Sequence, residues 1–338
     1  MTQQLFEIKT NAEFEKSALS IFRLQHECCT VYRQFCDVLK INPAEIKFAN
    51  QIPFLPIEFF KTHSVVTSSV PDSYRDEKLP SKLFTSSGTG GVQSKHHVSD
   101  ISVYEQSFRK GFELFYGDIK EYCLLALLPS YLEREGSSLV YMANDLIAAT
   151  KNPDSGFYLH NLDELSEKLN SLLAKGQKIL LLGVTYALLD LAERIESPLS
   201  SRRGVGGEVI IMETGGMKGK RKELLREELH QILCEKFGVN AIHSEYGMTE
   251  LLSQAYSKGN GIFSCPPWMN VLIRDVNDPL KILEPGKTGG INVIDLANIN
   301  SCSFIATQDL GILHNDNSFE VSGRFDNSDL RGCNLLVQ

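Results

Sequence analysis

The chain has 338 residues, 42 % of them apolar and 22 % charged, with a formal net charge of -8. That balance excludes a disordered chain and argues against a general nucleic-acid binder, which carries a basic face. No apolar run approaches the roughly 20 residues of a membrane span, and the opening MTQQLFEIKTNAEFEKS has no signal-peptide core.

The first forty residues read as helical, because Phe14, Ala18, Ile21, Phe22, Val31, Phe35 and Val38 recur at three- and four-residue steps. INPAEIKFANQIPFLPIEFFKTH, punctuated by Pro43, Pro53 and Pro56, reads as a loop and a short helical turn leading to a strand near SVVTSS (64–69). CLLALLPS from Cys123 and KILLLGV from Lys178 have the length and apolarity of buried strands. Helical patterns cover 137–149, 162–173, TYALLDLAERI (185–195) and KGKRKELLREELHQILCEKFG (218–238), the last ending at Gly238 as a C-cap. GEVIIMETGG is a strand closing in a glycine turn, and VNAIHSEYGMTE a short strand and loop. Continuous apolar strands separated by helices predict a mainly parallel sheet covered on both faces. From about Gly261 short alternating pieces predict antiparallel β structure. The division expected is a core over 1–260 holding the glycine-rich stretch, a β-rich subdomain of the same core over 261–322, and a tail over 323–338 carrying Cys333.

The eight cysteines, Cys28, Cys29, Cys36, Cys123, Cys234, Cys265, Cys302 and Cys333, form no CxxC pair. Reduced thiols in a cytoplasmic protein are the simplest reading.

The stretch LFTSSGTGGVQSKHHVS from Leu83 concentrates hydroxyls and glycines before Lys95. Glycine admits positive φ, so several N–H groups can converge, and a nest of N–H groups with one lysine is a phosphate cradle. A flexible surface turn has the same composition. The stretch is neither a Walker A loop, which needs Gly-Lys-Ser/Thr, nor a GxGxxG dinucleotide fingerprint. His243 and Glu245 form an HxE string like that of zinc deaminases, but Cys265-Pro-Pro-Trp does not supply the PCxxC partner. A structural hydrogen bond is the simpler role for His243, and His96–His97 belong at a strand start.

TSSGTGGVQSK (85–95) resembles the phosphate loop of the adenylate-forming (ANL) superfamily, usually S/T-S-G-S/T-T-G-x-P-K. Here Gly90 stands at the second threonine position and the segment is one residue longer before Lys95. Four further motifs follow in the superfamily's order: ETGGM (213–217), YGMTE (246–250), TQDLG (307–311) and GRFD (323–326). IPFLPIEFFKTH near Ile52 and the terminal DLRGCNLL resemble signatures of the acyl-protein synthetase (LuxE) family, and this resemblance spans nearly the whole chain.

The resemblance implies an α/β fold: the ANL N-terminal core, with mainly parallel sheets under helices, a β-rich C-terminal portion, and the mobile C-terminal domain largely absent. The sequence stops twelve residues after Asp326, where full-length relatives run on for about 100 residues carrying a catalytic lysine for which no counterpart is identified. The implied reaction is ATP-dependent activation of a carboxylic acid, a fatty acid in this family, to the acyl-adenylate, followed by transfer to a thiol. By resemblance, Thr85, Ser86, Ser87, Gly88, Thr89, Gly90 and Gly91 would cradle phosphates, with Lys95 as a mobile cation. Thr249 would touch the α-phosphate and Glu250 would hold Mg²⁺. Tyr246, Gly215 and Gly216 would flank adenine, Asp309 the ribose hydroxyls, and Arg324 the ribose or phosphate. Cys333 matches the family's acyl-accepting cysteine, and Arg331 beside it would favour thiolate.

Each residue also has a plain structural reading. Glu250 could start a helix, Asp309 cap a turn, Arg324 pair with Asp326, and Cys333 secure the tail as a buried apolar group. Self-acylation followed by delivery to a partner, such as an acyl reductase, is one functional reading. A ligase serving CoA or an acyl carrier protein is a second, and a catalytically silent nucleotide- or acyl-binding module a third.

Overall fold

The structure, a computed structural model, describes residues 2–67, 81–86, 92–129, 136–159, 161–195, 199, 207–215 and 224–325. The remaining residues include Ser87, Gly88, Thr89, Gly90, Gly91, Gly216, Asp326, Arg331 and Cys333, which lie outside the described residues.

Two helices open the fold, α2 (Asn11–Cys28) and α3 (Thr30–Val38), after a single turn α1 (Thr2–Leu5). Phe14, Ala18, Ile21 and Phe22 form the buried stripe of α2, as their spacing requires. Thr10 caps α2 and receives the N–H of Glu13, whose carboxylate returns to the Thr10 N–H.

The following segment departs from the sequence-based expectation. Residues 64–67 form no strand; the strand is β1 (Leu55–Pro56), which pairs in parallel with β13 (Phe304–Leu313). Pro56 has no N–H to give, so this two-residue strand suits a position bonded on one side only. Residues 64–67 instead run beside a turn: Thr67 N–H donates to Asn300 O, and Ser301 Oγ donates to Val65 O. A one-turn helix α4 (Phe59–Thr62) follows β1.

Two antiparallel strands flank the glycine-rich stretch in sequence and make a β-hairpin, β2 (Lys82–Thr85) against β3 (Lys95–Val98), with Thr85 opposite Lys95. Its neck is pinned twice: Ser86 N–H donates to Ser94 O at 3.1 Å, and Ser94 N–H to Ser86 Oγ at 2.9 Å.

Helix α5 (Ile101–Tyr116) follows, an element the apolar pattern had not flagged. Asp100 caps it by accepting the Ser102 N–H, and Gly117 ends it. The α/β core then matches expectation closely: β4 (Tyr122–Leu127), α6 (Ser138–Thr150), β5 (Gly156–Tyr158), α7 (Leu162–Ala174), β6 (Lys178–Val184), α8 (Thr185–Ala192), β7 (Glu208–Thr214) and β8 (His243–Tyr246). Helix α9 begins only at Arg226 and runs to Phe237, with Gly238 as its C-cap. Strands β5, β4, β6, β7 and β8 are mutually parallel. All six residues of β4 are buried, as a strand covered on both faces must be. Each such aliphatic side chain stabilises the fold by about 1.5–3 kcal/mol.

Beyond β8 the sheet turns antiparallel, through β9 (Ala255–Ser257), β10 (Ile262–Ser264), β14 (Phe319–Arg324), β13, β12 (Thr288–Asp295) and β11 (Met269–Arg274). Among the described residues the path is one sheet of twelve strands, counting β1 at the side of β13. No described helix is long and apolar enough to cross a membrane.

Candidate active site

In open α/β sheets ligands bind beyond the carboxyl ends of the parallel strands. Here β7 ends at Thr214 and Gly215, and β8 at Tyr246 and Gly247. Gly215 has φ +69°, a left-handed turn residue as ETGG predicts. Thr185 holds its carbonyl with a short hydroxyl bond.

The segment after β8 is fixed from three sides. His96 Nδ1 lies 2.8 Å from Thr249 O; since a carbonyl only accepts, Nδ1 carries the proton. Asn298 Nδ2 donates to Glu250 O at 2.7 Å. Asp295 accepts from Leu252 N, Ser253 N, Ser253 Oγ and Ala297 N. The buried amide of Gln25 on α2 in turn donates to Asn298 O and Ile299 O and accepts from Ser303 N. The N-terminal helices thus hold the turn that holds Glu250.

Glu250 is buried, beside Ser94 at the neck of the hairpin. Burial raises its pKa; the neighbouring Ser94 hydroxyl and the charges of Arg324 and Lys61 oppose that rise. The hairpin neck and the YGMTE segment therefore face one another, through Ser94–Glu250 and His96–Thr249.

Asp309 and Arg324 are cross-strand partners on β13 and β14, with Arg324 Nε 2.9 Å from Asp309 Oδ1. Tyr246 Oη donates to the other oxygen at 2.9 Å. The Tyr246 ring lies edge-on to Phe263 and Phe319, so it is itself a core group. A carboxylate offers about four lone-pair sites, so Asp309 keeps acceptor capacity beyond these two bonds. Arg324 is 72 % exposed while Asp309 is 9 % exposed.

Lys95 is exposed; along β3 Ser94, His96 and Val98 are buried and Lys95 and His97 face outward. Thr85 is half-buried, and its N–H donates to Gly136 O at 2.8 Å. His243 lies 3.2 Å from Tyr116 Oη, and burial drops its pKa to about 4, so it remains neutral.

Two buried carboxylates beside this floor were given no role by the sequence, although Glu213 opens ETGGM and Glu245 belongs to the HxE string. Glu213 accepts from Ser244 Oγ and lies 3.4 Å from Arg226 and 3.6 Å from His230. Burial would raise its pKa, but the nearby His230, the Arg226 charge and the Ser244 bond outweigh it and hold the group below the usual range. Glu245, next in line, has among the described residues the Thr214 hydroxyl as its donor; burial brings it up to about 7. A Cβ on Gly247 would press on Glu245 Oε1, so a side chain there would have to push this carboxylate aside. Among the described residues no three His, Cys, Asp or Glu side chains cluster as a metal site. Glu250 offers one buried carboxylate with a neighbouring hydroxyl. That set fits Mg²⁺, which takes one or two carboxylates and completes its shell with water and phosphate.

The model of the family "Acyl-protein synthetase, LuxE" matches residues 4–338. The long-chain-fatty-acid–luciferin-component ligase of Vibrio harveyi is 24 % identical over 326 residues, covering 90 % of this chain and 82 % of that one. Among solved structures, 2-hydroxyisobutyryl-CoA ligase in the postadenylation state superposes with a TM-score of 0.64 at 13 % identity, over 95 % of this chain and 69 % of its own. The ATP-bound RpMatB-BxBclM chimera B3 gives 0.52 at 19 % identity over 72 % of this chain, which spans only 47 % of that structure. These likenesses establish the adenylate-forming ligase fold. With the family model matched over almost its full length, the chain belongs to the acyl-protein synthetase (LuxE) family.

Proposed function

We propose that this protein activates a fatty carboxylic acid with ATP and passes the acyl group to a thiol. The observation that carries the reading is the junction of the hairpin neck with the YGMTE segment, made by the bond of His96 to Thr249 O with Ser94 beside Glu250, next to the Asp309–Arg324 pair. That arrangement supports a triphosphate lying between hairpin and sheet, with the ribose toward Asp309.

In the first step a carboxylate oxygen attacks the α-phosphorus, and the bond to the bridging oxygen breaks to release pyrophosphate. Anions meet in this step, so catalysis is positioning and charge neutralisation. Thr85, Ser86 and the residues 87–91 would present N–H and hydroxyl donors to the phosphates. Thr249 would bond the α-phosphate, and Glu250 would hold Mg²⁺, which supplies charge neutralisation when bound. Gly215 and Gly216 would allow adenine close approach, and Arg324 would stand at the ribose edge. In the second step a thiolate attacks the acyl carbon, the C–O bond to AMP breaks, and the thiol proton has gone to solvent. Cys333 is the proposed first acceptor, with an acyl reductase, a carrier protein or CoA as onward acceptor.

The test is acid-dependent ATP–pyrophosphate exchange across a panel of acids from short to long chain. Exchange that rises with a fatty acid, plus a hydroxylamine-labile acyl label lost in Cys333→Ser, is expected. Nucleotide binding with no exchange for any acid would overturn the enzymatic reading. Acyl-CoA formation retained by Cys333→Ser would move the acceptor from Cys333 to CoA.

A further inference from the structure

We infer that Lys61, on the one-turn helix α4, is a catalytic residue of the adenylation step that contacts the phosphates of ATP. The inference rests on the proposed adenylation and concerns a residue of the IPFLPIEFFKTH segment to which the resemblance assigned no role.

The argument begins with β1. Its pairing on β13 brings the chain to Glu58, whose carboxylate accepts from the Gln308 amide, one residue before Asp309. Helix α4 then turns across to the hairpin, where Phe60 packs edge-on to His96 with ring centroids 5.5 Å apart. His96 is the residue that grips Thr249 O. Lys61 lies between these two anchors, one on the ribose side of the site and one on the hairpin side. Phe60 is buried at 1 % exposure, whereas Lys61 is exposed, so the backbone is fixed and the ammonium is free to move.

The packing of α4 on the hairpin at His96, whose ring bonds Thr249 O, brings the residue after Phe60 to the side of the segment that carries Glu250. The charges of Lys61 and Arg324 both favour the ionised form of that carboxylate. Lys95, the lysine of the glycine-rich motif, projects from the outward face of β3, opposite to Ser94 and His96. Among the described residues Arg324, from the ribose side, and Lys61, from α4, both bring positive charge toward the junction of hairpin and YGMTE segment. When carboxylate and triphosphate approach, negative charge gathers on the α-phosphate and on the departing pyrophosphate. A mobile ammonium on α4, at the hairpin side of that junction, neutralises that charge where it develops. No proton moves to or from Lys61; the bond changes are those of the adenylation step.

Two measurements test this together. Reductive methylation with formaldehyde and cyanoborohydride, read by peptide mass spectrometry, is expected to label Lys61 in the free protein and to spare it when ATP is present. In Lys61→Met, kcat for acid-dependent exchange is expected to fall about 100-fold, the loss seen for a transition-state charge donor, while KM for the acid and the melting temperature stay near those of the unaltered chain. Lys61→Arg, which restores charge, recovers part of that loss. Equal labelling of Lys61 with and without ATP would overturn the inference, as would exchange by Lys61→Met within threefold of the unaltered chain. Protection of Lys61 by ATP with no exchange for any acid would retire the adenylation reading and still support the phosphate contact.

Discussion

His96 donates its Nδ1 proton to the backbone carbonyl of Thr249, 2.8 Å away, and this bond joins two segments 153 residues apart in the chain. Its Nε2 is buried without a partner, so the ring is neutral and of one tautomer. Burial brings its pKa from 6.5 down to about 4, with the nearby His97 acting in the same direction.

The sign of the resulting pH dependence follows. A histidine depressed in the fold contributes stability that is fully present above its unfolded pKa and is lost as pH falls through the folded one. Acidification from 6.5 toward 4 should therefore cost up to about 3 kcal/mol through this ring alone. Urea unfolding of the unaltered chain and of His96→Gln across this window tests it. The variant should be less stable at neutral pH and should show a flatter acid limb.

Glu245 predicts the opposite slope. Its pKa stands at about 7 in the fold against 4.5 unfolded, so the folded state binds the extra proton and stability is lost as pH rises between these values. Glu245→Gln, which keeps an acceptor for the Thr214 hydroxyl, should raise stability at pH 8 by about 3 kcal/mol and should have little effect at pH 4. A parallel urea series would expose an error: equal curves at pH 8 mean that the carboxylate is not desolvated.

The Asp309 cluster separates stability from function. Arg324 is 72 % exposed, so its ion pair contributes at most about 1 kcal/mol, and Arg324→Ala should melt nearly as the unaltered chain does. Tyr246→Phe removes the buried donor to Asp309 and should cost about 1–3 kcal/mol. Calorimetry with ATP should rank the two in reverse, with Arg324→Ala losing more affinity per unit of stability lost.

Asp295 predicts a large effect away from any ligand. Its carboxylate satisfies four donors of residues 252, 253 and 297. Asp295→Asn replaces one accepting oxygen with a donor, which should cost at least about 2 kcal/mol and loosen the segment that carries Glu250. Hydrogen exchange should show faster amide turnover at Leu252 and Ser253, with the strands β4 and β6 unchanged.

Elements with a strong local pattern were legible in the sequence. KILLLGV is β6 to the residue, because a strand buried on both faces has nothing but apolar side chains to show. Helix α5 was not, since its buried face mixes Tyr104, Ser107 and Gly111 with aliphatics, and the Ser107–Ser253 and Ser107–Trp268 bonds that justify the polar residue are long-range. Likewise 64–69 is β-branched enough to read as a strand, yet β1 formed at Leu55–Pro56, where β13 had a free edge. The motifs gave Tyr246, Thr249, Glu250, Asp309 and Arg324 as one group, and the fold brings these together. Lys61 lies in IPFLPIEFFKTH and Glu245 just ahead of YGMTE, yet the motifs gave no role to these or to Asp295; what they do depends on neighbours that only the tertiary structure supplies.

The pairing of Leu55 with Ile305 spans 250 residues of sequence. During synthesis at about 5–20 residues per second, the first of these waits on the order of tens of seconds for the second to emerge. Through that interval the helices of the opening segment have no β13 to rest on, and the apolar stripe of α2 must be shielded by other means. Newly made chains should thus depend on holdase chaperones far more than refolded full-length protein does, and should aggregate first through their earliest-made portion.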